Sequence, residues 1–194
     1  MASRKARLPV LALGLVIALA AIWSAVWYAG LLLTRHHLNQ WMSTEAERGR
    51  TWTCGEQTAF GYPFALGIAC KDVKVSGTHA GKAFAATLPN LIARAEAQAP
   101  RTLLLDAKAP FNVEIEGQQS AVTWQDLRTE MQFGAGGPVA ARLTGDKLAF
   151  TGKSLMSDGE VESIDHVSVD IGRAHDVTAD QNAYDITFQL AGVI

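Results

Sequence analysis

Cys54 and Cys70 are the only two cysteines of the chain, and His36, His37, His79, His166 and His175 are its five histidines. A thiolate can attack, bind metal or pair with a second thiol. The cysteines lack the C-x-x-C spacing of redox catalysts, and a metal site would need further ligands close by. His36 and His37 are adjacent in a helical pattern, so their rings point to different faces and make no metal pair. They read as polar residues at a membrane edge. His166 follows Asp165 and His175 precedes Asp176, yet neighbours on a strand face opposite ways, and such adjacency is common by chance. His79 has no partner at a recognisable spacing. Glu45/Glu47, Glu114/Glu116 and Asp158/Glu160 are carboxylates two residues apart, which on a strand share a face and can hold a cation. They read better as a solvated polar face. The chain has no G-x-S-x-G, P-loop, G-x-G-x-x-G, H-E-x-x-H or EF-hand pattern. The run Gly134-Ala135-Gly136-Gly137-Pro138 lacks the following helix that would present amides to a phosphate, and reads as a turn. The expectation is a non-enzyme with no cofactor and no metal site.

Charge narrows the partners. Lys and Arg number 17 and Asp and Glu 19, a net of -2 without a basic stripe, so nucleic acid is not expected. Residues 8–33 contain no charge at all. At ~1.5 Å per residue such a run crosses a hydrocarbon layer of ~30 Å with some tilt. Arg4, Lys5 and Arg7 precede it, which favours a cytoplasmic N-terminus and an exported remainder. Trp23, Trp27 and Tyr28 stand in its far half, where aromatic rings favour the interface. Two other readings compete with an uncleaved anchor. Ala18-Leu19-Ala20 imitates a signal-peptidase site, but a cut there would leave an apolar new N-terminus. A buried core helix is the third. With the anchor reading, both cysteines lie in an oxidising compartment, where a pair usually bonds. Closing a loop of about 15 residues contributes roughly 3 kcal/mol.

Residues 34–50 keep a helical period through Leu38, Trp41, Met42 and Ala46, with Gly49 as a plausible stop. They form an amphipathic stem whose Trp41 is expected to face lipid headgroups. From Thr51 the period becomes two: Leu66, Ile68 and Cys70; Phe111, Val113 and Ile115; Val167, Val169 and Ile171; Ile186, Phe188 and Leu190. Gly61-Tyr62-Pro63, Ser76-Gly77, Gly117, Gly145-Asp146 and Ser157-Asp158-Gly159 separate the runs. Residues 89–99 suit a short helix or a strand. The fold expected is mainly β: one N-terminal transmembrane helix, then a curled antiparallel sheet, as a meander or sandwich. The divisions are a basic cytoplasmic segment (1–7), an anchor (8–33), a stem (34–50) and an exported β domain (51–194).

The stretch WTCGEQTAFGYPFALGIACKD, residues 52–72, resembles the opening of the bacterial, mostly alphaproteobacterial, domain of unknown function 2125 family. The shared features are a membrane span, then Cys54, the turn Gly61-Tyr62-Pro63-Phe64, and Cys70 at the end of the next strand. The resemblance implies a Gram-negative inner-membrane protein facing the periplasm, and it implies no activity. Pro63 fixes its φ and cannot donate to a ladder, which suits a turn before the strand. A sheet with one apolar face must cover it. Two roles follow as expectations. One is shielding or carrying a lipid or other amphiphile, with membrane lipid and a hydrophobic ligand in the β domain as partners. The other is a non-catalytic structural or interaction subunit of a membrane complex. Open apolar faces favour the first and closed ones the second.

Overall fold

A computed structural model of the chain describes residues 7–79, 81–152, 162–173 and 183–193. Arg7–Glu47 is one helix, α1, of 41 residues. Pro9 falls in its first turn, where its missing N–H breaks no bond. The helix stops where Gly49 takes φ 79° and Gly49 N–H donates to Ala46 O at 3.0 Å. The expected anchor and stem are therefore one rod, about 60 Å long at ~1.5 Å per residue. It is long and apolar enough to cross a membrane.

Ten strands follow: β1 (Arg50–Phe60), β2 (Ala65–His79), β3 (Lys82–Glu96), β4 (Ala99–Lys108), β5 (Phe111–Ile115), β6 (Gln118–Thr123), β7 (Asp126–Gly134), β8 (Gly137–Gly152), β9 (Glu162–Arg173) and β10 (Tyr184–Val193). They form a single sheet in which every pairing is antiparallel. β4 and β5 both lie along β3, and β7 and β6 both lie along β8. Each of these pairs is one long strand broken in the middle, so the connectivity is a plain meander. The sandwich alternative is not adopted among the described residues. The ambiguous stretch 89–99 is strand through Glu96, a turn, then the start of β4.

The breaks lie on one line. Apolar residues along β2 are spaced by two, then by three between Cys70 and Val73, then by two again. Asp72 in that gap takes φ 52°, and the paired register passes over it. Lys147 (φ 53°) does the same between Gly145 and Leu148 of β8, and Gly192 (φ 63°) between Leu190 and Val193 of β10. Such a residue absorbs the odd step and keeps the apolar side chains on one face while the strand bends. Continuing the register from Asp72 reaches Pro89, then the β4–β5 and β6–β7 breaks, then Lys147, Asp165 and Gly192. The result is a crease across the whole sheet. Trp124 Nε1 donates to Ala107 O at 2.9 Å on that line, and Lys147 Nζ meets Asp165 Oδ1 at 2.6 Å.

The direction of the bend follows from the Cys54–Cys70 disulfide. Cys54 is opposite Val73 and Cys70 opposite Gln57, three residues along. In a flat sheet, steps of ~3.3 Å along and ~4.8 Å across would separate their Cα atoms by about 11 Å. The observed distance is 5.7 Å. The sheet therefore folds toward the face that carries the sulfurs.

Candidate functional site

The inner face of the crease is apolar along its length except at Thr129. Ile68 of β2 is opposite Ala93, which is opposite Leu105 of β4. Leu105 is opposite Thr129, Thr129 opposite Leu143, Leu143 opposite Val169 and Val169 opposite Phe188. Beside this row run Leu103, Met131, Ala141, Ile171 and Ile186, each opposite the next. Beyond the crease, Leu148 and Phe150 return to the same face. A Cβ placed on Gly145 would lie 3.0 Å from both Leu148 Cδ1 and Val167 Cγ1. The opposite face is polar beyond Leu104: Glu130, Arg142, Asp170 and Thr187 stand in one row with it, and Arg142 and Asp170 are ion-paired. Side chains alternate across a strand, so one period-two pattern builds both faces.

The buried apolar residues among those described are Leu31, Ile68, Val73 and Ala86. They lie on α1, β2 and β3, at the end of the sheet where α1 packs against β1 and β2. Further along the sheet the apolar face loses cover: Ile186, Phe188, Leu190 and Val193 are exposed, Phe188 at 66%. No described element lies on it there. The molecule thus carries an apolar trough, closed by α1 at one end and bare at β10.

α1 is docked by specific contacts. Trp27 Nε1 donates to Ala65 O at 2.7 Å, and the Trp27 ring meets Tyr62 edge-on at 5.5 Å. The Trp41 and Trp52 rings lie 5.2 Å apart. At the far end Glu45, 6% exposed, accepts from Arg50 Nη2 at 2.9 Å and Arg48 Nη1 at 3.1 Å. The Arg50 hydrogen bond holds the Glu45 carboxyl below its usual range, against the opposing effect of burial, and Glu45 in turn raises Arg50.

The residues singled out from the sequence divide as follows. Cys54 and Cys70 are bonded. Gly61 takes φ 102° and, with Tyr62, Pro63 and Phe64, forms the β1–β2 turn. Trp23, Trp27 and Tyr28 sit on α1 near that turn. Trp41 lies 18 residues beyond Trp23, about 27 Å along the helix, and its half-exposed ring meets Trp52 of β1. Arg4 and Lys5 lie outside the described residues, and Arg7 begins α1.

Among the candidate chemistry, Glu45 and Glu47 do not share a face, because they are on a helix: Glu45 is buried and Glu47 exposed. Glu114 meets Gln119 Nε2 at 3.4 Å, while Glu116 pairs with Lys82 at 3.2 Å, so these two carboxylates do not converge. His166 Nδ1 reaches Asp146 Oδ1 at 2.7 Å across the sheet, and its neighbour Asp165 pairs with Lys147 instead. His36 and His37 are exposed, with ring centroids 5.8 Å apart. The backbone of His79 is in β2; its side chain, with His175, Asp176, Asp158 and Glu160, falls outside the described residues. A hollow of about 590 Å³ on the polar face is lined by Thr87, Asn112, Glu114, Gln119 and Thr151. Its polar groups are partly paired with each other, as in Asn112 Nδ2 to Thr87 Oγ1 at 3.4 Å. The line of the crease across the strands is absent from the sequence expectation of a curled sheet, and the three-residue gaps in the apolar spacing are its local sign.

Comparison with known proteins finds no match among curated proteins and none among solved structures. One family model matches residues 27–193, beginning at the tryptophan that docks on Ala65. By that match the chain belongs to the family described as "Uncharacterized protein conserved in bacteria" (DUF2125).

Proposed function

We propose that this chain is a single-pass protein of a bacterial inner membrane that shelters the acyl chains of a lipid or similar amphiphile on its periplasmic side. It binds this ligand without transforming it. The observation that carries the reading is the bare apolar trough on a sheet fixed to a membrane-crossing helix. Monomeric soluble proteins rarely expose a contiguous apolar surface of this kind. A lipid is the apolar ligand that a membrane anchor keeps at high local concentration. The periplasmic side is supported by the basic residues before the span and by the Cys54–Cys70 bond, which persists in oxidising compartments.

A second reading rests on β10, which pairs only with β9 among the described strands and exposes ten consecutive residues. An edge of this kind suits strand addition by a membrane-protein partner. Mass spectrometry of the full chain extracted in mild detergent tests both. Lipid retained by the native protein and lost from a Phe188→Glu variant supports the shelter. Lipid-free protein with a stoichiometric partner rejects it in favour of a subunit.

A further inference from the structure

The β1–β2 turn is tied to α1 at a level that a membrane must occupy. Trp23 Nε1 donates to Pro63 O at 2.9 Å, Trp27 Nε1 donates to Ala65 O at 2.7 Å, and Ser24 Oγ lies 2.8 Å from Tyr62 Oη. Along α1, residues 9–23 are all exposed, and nearly all are apolar. A hydrocarbon layer of ~30 Å takes about 20 helical residues. Counted from Leu8, the first residue of the uncharged run, that span ends near residue 27. Trp23 and Ser24 fall short of that end. A turn bonded to them cannot stand clear of the bilayer.

We propose that residues 61–64 form a membrane-embedded foot of the sheet, seated in the outer interfacial layer of the bilayer that α1 crosses, with lipid as its contact. The chemistry of the turn fits that solvent. Backbone groups left unpaired in hydrocarbon cost several kcal/mol each. Here Gly61 O accepts from Phe64 N–H at 3.0 Å and from Ala65 N–H at 2.7 Å, and Phe64 O accepts from Ala97 N–H at 2.8 Å. Pro63 has no N–H, and its carbonyl is taken by Trp23. Phe64, 73% exposed, presents its ring outward, and the half-exposed Tyr62 leans its ring on Trp27 and its hydroxyl on Ser24, both at the depth of Trp23, Trp27 and Tyr28, where aromatic side chains favour the interface. The foot gives the Gly61-Tyr62-Pro63-Phe64 motif a task, and it sets the lower rim of the trough, at Leu66, against the acyl region. The proposal rests on the span and stands whether or not the trough holds lipid.

The test is site-directed spin labelling of the full chain in lipid nanodiscs. A nitroxide at Phe64→Cys is compared with one at Gln118→Cys, at the opposite end of the sheet, with the Cys54–Cys70 bond verified by mass. The expected result is a label at 64 relaxed by oxygen and shielded several-fold from a water-soluble nickel chelate, and the reverse at 118. Equal nickel access at both positions overturns the proposal. Should labelling at 64 disturb the fold, Phe64→Trp with lipids brominated near the headgroup gives the same reading: added quenching supports the foot, and quenching unchanged from the native protein rejects it.

Discussion

The Cys54–Cys70 bond can be tested as the staple of the crease. Replacing both residues, Cys54→Ser with Cys70→Ser, removes a cross-link between positions separated by 16 in sequence. Loop-closure entropy for a ring of that size is worth about 3 kcal/mol. For a chain of this size each kcal/mol corresponds to about 2–4 °C in Tm, so a fall of roughly 6–12 °C is expected. Among the described strands β1 pairs only with β2, and it leans on α1, so strand pairing has little else to replace the staple there. Unfolding by urea, followed by circular dichroism in one detergent without reductant, gives the difference directly. A double-serine variant with the same slope and a stability within about 1 kcal/mol of the native protein would refute the reasoning, because a bend held without its cross-link is set by the backbone alone.

Other expectations concern the seam and the turn. Because the folded-state pKa of Glu45 is lowered from 4.5, its contribution is complete above that value and lost as pH falls through the lowered one. Thermal midpoints measured from neutral pH to below 4 should therefore drop at the acid end, and Glu45→Gln should lessen that drop. Trp27→Phe keeps the ring but loses the bond to Ala65 O, and should cost about 1 kcal/mol in urea unfolding; no change would mean the indole does not dock the helix. Gly61→Ala places a Cβ 2.7 Å from Ala65 O at φ 102° and should destabilise by about 1–3 kcal/mol in the same assay.

Much of the fold was legible because its forces are local. An uncharged run of that length favours a long helix, and the alternation of Val167, Val169 and Ile171 admits little but a strand. Residues 89–99 were ambiguous because alanine and glutamate favour helix, while the pairing of β3 with β2 and β4 outweighs that weak preference. The pairing of Cys54 with Cys70 was expected from their count and from the exported side that the charge before the span suggests. What was hidden is non-local. Trp41 looks interfacial by type, and only the docking of α1 shows that it meets Trp52. Glu45 looked like half of a carboxylate pair until Arg50 turned back across the helix end to meet it. The crease was written in the odd spacing at Asp72, Lys147 and Gly192, but its alignment across strands appears only once the register is known.

The central claim is that the apolar inner face meets lipid and the polar outer face does not. A photo-reactive p-benzoylphenylalanine placed at Leu143 or at its neighbour Thr144, in cells under native expression, separates the two faces by a single residue. The account predicts lipid-mass adducts on irradiation at position 143 and none at 144. Equal lipid adducts at both positions, or protein adducts alone at 143, would contradict it.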